Sequence, residues 1–315
     1  MSKKRLLLFD LDGVLLSEEG YLDTAALTIG SFLPLFFPQW SDRMQQSGTL
    51  LSQAQTLRSL VFSHALIQAM RRRALNSNWD KAYVGTVLLG TLAVNRQNTV
   101  NLANDLLALF ESIPGSGQEF LYHIQQMENV LPLQRYAHPL FEEVKMRFQR
   151  FYLGDATAKE PSLQMGMVAQ ERLLCDRSTL YQLFQSLHSK FFTFGIGTGR
   201  PRHEALSPLA QHELLTFFDP LRICTSDEVF AYEKALGVAP YSRAKPHPYT
   251  YASIAFDFPI EQVYVIGDSP ADWLAAHAAG FHFIGIGSKA SFHAVAPLED
   301  VKVVQSVAEI TSLFV

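Results

Sequence analysis

The stretch Arg5–Leu15, RLLLFDLDGVL, runs through a hydrophobic strand and places two aspartates, Asp10 and Asp12, at its end. Buried carboxylates are costly unless they are paired or bound to metal. Two readings are open at this point: a solvated turn of no consequence, or an acidic pocket built for a purpose. Gly13 follows directly and lets the backbone turn sharply, so that both side chains can face one ligand.

The pattern after this strand changes twice. From about residue 20 to 172 there are no clear strand signals, and the segment reads as helices. NLANDLLALFESI places Leu102, Leu106, Phe110 and Ile113 on one helical face, and FEEVKMRFQRF does the same with Phe141, Val144, Phe148 and Phe151. These stripes are most simply core-facing surfaces. Breaks are expected at Pro38, at IPGSGQ, and at Pro132 and Pro139. From about 173 onward a helix with Leu180, Leu183, Phe184 and Leu187 leads into short apolar runs: FFTFGI, LRIC, VYVIG, FHFIGI and VKVV. Helical stretches lie between most of them, and a capping-box pair, Ser306 and Glu309, opens a last helix. Strands alternating with helices predict a parallel sheet covered on both faces. The first strand belongs to that sheet but is separated from the rest by the helical block. The expectation is an α/β core of residues 1–18 and 173–315, interrupted by an all-helical insertion of residues 19–172.

Composition narrows the function classes. The 315 residues carry a net charge of -4, so no basic surface points to nucleic acid or an anionic membrane. The densest basic run, Arg71–Arg73, reads as a solvated helix face or as a holder for an anionic substrate. Cys175 and Cys224 form no disulfide framework or zinc spacing, which fits a reducing compartment. The apolar start is broken by Asp10 and Asp12, and SFLPLFF and VGTVLLGTLAV are too short for a membrane span. A cytoplasmic soluble protein is expected.

In open parallel sheets, ligands bind beyond the carboxyl ends of the strands. The first strand ends in Asp10 and Asp12, the second in GTGRP (Gly197–Pro201), and the fourth in GDSPAD (Gly267–Asp272), with AKPHP and its Lys245 preceding that fourth strand. Singly each is weak: a turn, a helix start, a surface lysine, a loop. Together, in this order and at strand ends, they are specific. FDLDGVL, GTGRP, KPHP and GDSPAD resemble the motifs of the haloacid dehalogenase (HAD) superfamily of hydrolases, over roughly residues 1–18 and 173–315. The resemblance implies a doubly wound, Rossmann-like parallel-sheet core with a C1-type helical cap, here longer than an ordinary four-helix version.

It also implies a division of labour. Phosphate monoesters hydrolyse extremely slowly unaided, and enzymes accelerate such reactions by up to roughly 10²¹-fold. A nucleophile, a proton donor and positive charge around the phosphoryl oxygens are needed. Asp10 would attack phosphorus, and Asp12 would protonate the leaving oxygen and later deprotonate the water. Carboxylates and a phosphate cannot share a pocket without a cation, and oxygen-only ligands suit Mg²⁺. By resemblance, Asp10, the backbone carbonyl of Asp12, and Asp268 would hold it. Thr198 and the Gly199 amide would bind phosphoryl oxygens, and Lys245 would neutralise them. Asp272 would hold a metal-bound water or orient Lys245, and Ser269 would steady the acidic loop or simply cap a helix. Arg200 would reach substrate or pair with a surface carboxylate. The second aspartate, Asp12, favours oxygen-ester phosphates over dehalogenation.

The expected activity is a Mg²⁺-dependent phosphatase acting on a small phosphorylated metabolite. A phosphomutase using the same groups and a non-catalytic binding protein are the rivals. The insertion is expected to close over the core, with the loop SEEGYL (Ser17–Leu22) and the segment near Glu171 as hinges. Tyr21, Arg71–Arg73, Asn78, Trp79 and Lys81 are candidate specificity groups, with Trp79 more simply packed and Lys81 more simply solvated.

Overall fold

The computed structural model describes residues 4–38, 48–73, 75, 77–95, 101–131, 139–159, 161–293 and 301–314. Pro132, one of the expected helix breaks, lies outside these residues. The chain divides into two compact units, Met1–Glu18 with Glu171–Val315, and Glu19–Gln170.

The first unit is built on six strands: β1 (Arg5–Phe9), β2 (Phe192–Gly197), β3 (Ile223–Cys224), β4 (Val263–Gly267), β5 (His282–Ile286) and β6 (Lys302–Val304). All pairings are parallel, in the order β3-β2-β1-β4-β5-β6. Parallel strands need crossover connections, and the crossover helices cover both faces. β1 shows the consequence. Leu7 and Phe9 pack with Leu180, Phe184 and Phe194 on one side, while Leu6 and Leu8 pack with Tyr251, Val263 and Ala275 on the other. Phe9 meets Phe184 and Phe218 edge to face, at ring-centroid distances of 5.6 and 6.0 Å.

The regular elements of the second unit, among its described residues, are all helices. The helix Glu19–Gly30 is buried at every position from Gly20 onward, and Asn78–Val94 is buried from Lys81 to Leu92. A helix buried on all sides is a core helix, and its buried threonines, Thr24, Thr28, Thr86 and Thr91, donate back to carbonyls of their own helix. The amphipathic helices Leu50–Val61, Leu102–Ser112, Gly117–Glu128 and Leu140–Leu153 turn one stripe inward, including Leu106, Phe110, Val144 and Phe148. Pro139 stands at the N-cap of Leu140–Leu153, and the IPGSGQ turn separates the two helices before it. No helix among the described residues is long and apolar enough to cross a membrane.

Two local expectations are corrected. SEEGYL is not a loop: Glu19–Leu22 form the first turn of the helix Glu19–Gly30, whose buried face starts immediately. The Ser306–Glu309 pair does not close a capping box on an α-helix. The segment Val307–Phe314 is a 3₁₀ helix, in which Ser306 Oγ accepts from Ala308 N and Glu309 accepts from Gln305 N. The tighter winding shifts each partner by one residue.

Candidate active site

β1 lies between β2 and β4, with Phe9 opposite both Ile196 and Ile266. That register sets Asp10 level with the last residues of its two neighbours. Asp10 N donates to Ile266 O at 2.9 Å, and Thr198 N donates to Cys224 O at 3.0 Å. Strand order reverses at β1 and β4, the topological switch point where open α/β sheets leave a crevice beyond their carboxyl ends. The predicted site residues of β1, β2 and β4 therefore leave the sheet at one edge.

Asp10, Asp268 and Asp272 each offer an oxygen, and the three oxygens lie within 4.8 Å of one another. Lys245 Nζ enters this cluster, 3.0 Å from Asp10 Oδ1 and 2.7 Å from Asp272 Oδ1. Tyr251, a residue that no motif signalled, donates its hydroxyl to the same Asp272 oxygen at 2.7 Å. The other Asp272 oxygen accepts from Ser269 Oγ at 2.6 Å, and Ser269 Oγ accepts from Asp272 N in return. This capping box starts the helix Pro270–Ala278. Ser269 is thus a helix cap, and its hydroxyl also holds one Asp272 oxygen. The other Asp272 oxygen accepts from Lys245 Nζ.

The electrostatics separate these carboxylates. Burial pushes Asp10 up to about 7, against the opposing pull of Lys245, with Asp272 and Asp12 adding to the rise. Burial likewise raises Asp268 to about 8, with Asp272, Asp10 and Glu18 adding repulsion. Asp272 is buried too, but the Lys245 ammonium and three hydrogen-bond donors outweigh desolvation and hold it below its ordinary value. Burial opposes the charge on Lys245, yet Asp10 and Asp272 together raise its pKa. The ammonium therefore satisfies Asp272 and leaves Asp10 and Asp268 short of positive charge. An all-oxygen donor set with that deficit fits a hard divalent cation.

Glycine makes the cluster possible. Gly13 has φ +71°, and a Cβ there would run into the Asp268 carboxylate. A Cβ on Gly267 would run into the Asp272 side chain. The turn after β1 is closed by Gly13 N donating to Leu16 O and Leu16 N to Leu11 O, at 2.9 and 2.8 Å.

The Asp12 carboxylate does not join the acidic cluster. It faces Arg200, whose Nη2 is 2.5 Å from Oδ1 and whose Nε is 3.2 and 3.1 Å from Oδ1 and Oδ2. Arg200 thus pairs with a carboxylate, as one reading expected, but the pair is not on the surface: the arginine side chain is 1% exposed. Behind it stands Glu171, also buried, 3.4 Å away. Thr198 is buried, and its Oγ1 accepts from Arg200 N at 3.2 Å; the space beside Gly199 is open.

The candidate specificity groups have structural partners within the helical unit. Tyr21 is buried and stacked on Tyr152 at 4.5 Å. Lys81 is buried rather than solvated, and donates to Asn78 Oδ1 at 3.1 Å. Trp79 is packed against the helical core, with Lys145 over its ring at 4.6 Å. Arg71 and Arg72 are exposed, but Arg73 sits 5.0 Å over both Phe110 and Phe120 and binds main-chain carbonyls.

Haloacid dehalogenase-like hydrolase is the family whose pattern matches, over residues 4–280. The chain belongs to this family. Its members are hydrolases, and they generally use a divalent metal; the oxygens of Asp10, Asp268 and Asp272 lie close enough together to hold one. Among solved structures, the chain is similar to the crystal structure of Northeast Structural Genomics Consortium target ZR25. Identity is 22%, 98% of each chain is covered, and the TM-score is 0.76. It is also similar to phosphatase Tt82 from Thermococcus thioreducens, at 20% identity over 97% of this chain and 98% of that one, with a TM-score of 0.54. These likenesses show the fold alone. No curated protein sequence matches the chain.

Proposed function

We propose that the protein is a Mg²⁺-dependent phosphatase that hydrolyses a small phosphorylated metabolite through an aspartyl-phosphate on Asp10. The observation that carries this reading is the placement of Asp10: at the tip of the central strand, 3.0 Å from Lys245 and within one oxygen cluster with Asp268. Asp10 Oδ attacks phosphorus while Asp12 gives its proton to the leaving ester oxygen, so one P–O bond forms as another breaks. Asp12, now a carboxylate, takes a proton from water, whose oxygen attacks phosphorus and releases Asp10. Lys245, Thr198 and the Gly199 amide stabilise the phosphoryl oxygens. Asp10, Asp268 and the Asp12 backbone carbonyl would hold Mg²⁺, which supplies further positive charge to the phosphoryl group. Asp272 fixes Lys245.

A cytoplasmic setting belongs to the same reading, since Cys175 and Cys224 are both free thiols. The test is release of inorganic phosphate from a panel of sugar phosphates, nucleotides, phosphoglycolate and pyrophosphate with Mg²⁺. Hydrolysis of at least one small ester supports the reading. Isomerised product without net phosphate would make the chain a phosphomutase, and inertness across the panel would return it to the binding proteins.

A further inference from the structure

We propose that Arg200 is a positioning residue that aims Asp12 at the leaving oxygen, with Glu171 bracing the guanidinium from behind. The proposal rests on the phosphatase reading above.

A lone carboxylate on a tight turn has several rotamers of similar energy. Asp12 is not left in that state. Arg200 Nη2 and Nε both grip Oδ1, at 2.5 and 3.2 Å, while Nε reaches Oδ2 at 3.1 Å, so the short contact falls on Oδ1. The fork therefore distinguishes the two oxygens and leaves Oδ2 as the one able to carry the transferable proton. The proton moves from Oδ2 to the ester oxygen as the ester P–O bond breaks and the bond from Asp10 to phosphorus forms.

The guanidinium is itself immobilised. Its Nη1 lies 3.4 Å from Glu171 Oε1 and donates to Glu204 O at 3.3 Å; its Nη2 reaches Glu171 Oε2 at 3.4 Å. His212 Nε2 lies 3.3 Å from Glu171 O. Backbone bonds from Ser17 N to Arg172 O and from Leu174 N to Leu15 O, at 2.9 and 3.0 Å, lace the segment after Glu171 to the turn after Asp12. Carboxylate, arginine and brace are thus tied into one hydrogen-bonded network. Lysine cannot reproduce a planar fork, so charge alone does not replace Arg200.

A purely structural arginine would affect all esters equally when altered. A positioning residue for the acid affects only those whose leaving oxygen needs a proton. The experiment compares kcat/KM of wild type and Arg200→Lys on glycerol 2-phosphate, a poor leaving group, and p-nitrophenyl phosphate, a good one. Folding is checked by circular dichroism. The expected result is a loss of about 10²-fold or more on the alkyl ester, the usual scale of general acid catalysis, and less than about threefold on the aryl ester. In an Asp12→Ala background the substitution should produce no further selective loss. If lysine prevents folding, Arg200→Gln is read in the same way. Equal losses on both esters in a folded variant would overturn the proposal while leaving the phosphatase reading intact. If the wild type hydrolyses neither, the same comparison is made on the best alkyl ester and the best acyl or anhydride phosphate of the panel above, and a wild type inert on every one of them would remove the two together.

Discussion

Lys245 Nζ lies 2.7 Å from Asp272 Oδ1, and the carboxylate is fully buried. Breaking such a pair strands a buried charge, which typically costs about 3–5 kcal/mol. Asp272→Asn is therefore expected to lower the melting temperature markedly and to reduce kcat, because Lys245 loses its counter-charge and an amide offers one acceptor oxygen where the carboxylate offered two, to Lys245 and Tyr251 on one side and Ser269 on the other. Thermal denaturation and phosphate release measure the two effects. A variant as stable and as active as wild type would show that Asp272 does not orient the lysine.

Asp10→Asn should behave in the opposite way with respect to stability. Burial already pushes Asp10 up to about 7, so a neutral amide relieves the metal-free protein of an unfavourable charge. The expected outcome is loss of turnover by about 10⁴-fold or more, with a melting temperature equal to or above that of metal-free wild type. Residual wild-type turnover would exclude Asp10 as the nucleophile.

Metal binding should depend steeply on pH. Asp10 and Asp268 are raised to about 7 and about 8, from the usual 3.8, and must lose their protons to ligate a cation. Mg²⁺ affinity measured by calorimetry should fall roughly 10²-fold between pH 8 and pH 6. The stability sign follows from the same shifts. A carboxylate whose folded pKa is raised contributes stability at low pH and loses it as pH rises through the folded pKa. The contribution of these two groups to metal-free stability therefore declines from about pH 4 to pH 8, and Mg²⁺ should raise the melting temperature more at pH 8 than at pH 6. A pH-independent metal effect would contradict the assignment of these ligands.

Gly13→Ala tests the close approach of the two loops. The residue sits at φ +71°, where an L side chain costs about 1–2 kcal/mol, and the added methyl meets the Asp268 carboxylate. Both the melting temperature and Mg²⁺ affinity should drop, the latter by about tenfold or more. Unchanged affinity would show that Asp268 can be displaced without consequence.

The strand tips were legible because each motif is local. An apolar run followed by FDLDGVL, GTGRP or GDSPAD reports both the strand and the group at its end, and parallel-sheet topology then brings the ends to one edge. Helical stripes such as Leu102, Leu106 and Phe110 were legible for the same reason, since periodicity reports which face is buried. Lys81 was misread because a lysine in a sequence looks solvated wherever it stands. Only the packing of Asn78–Val94 shows it buried against Asn78. The 3₁₀ winding of Val307–Phe314 also escaped, because a one-residue change of hydrogen-bond partner leaves the capping pattern unaltered.

By itself, then, the order of residues determined which chemical groups stand at the ends of which strands. Tertiary structure alone decided how they are partnered: Lys245 with Asp10 and Asp272, Tyr251 with Asp272, Arg200 with Asp12 and Glu171. Each of those pairings joins segments far apart along the chain, and its strength depends on burial and on distances of a few tenths of an ångström. Neither quantity exists until the sheet has set its register and the helices have excluded water.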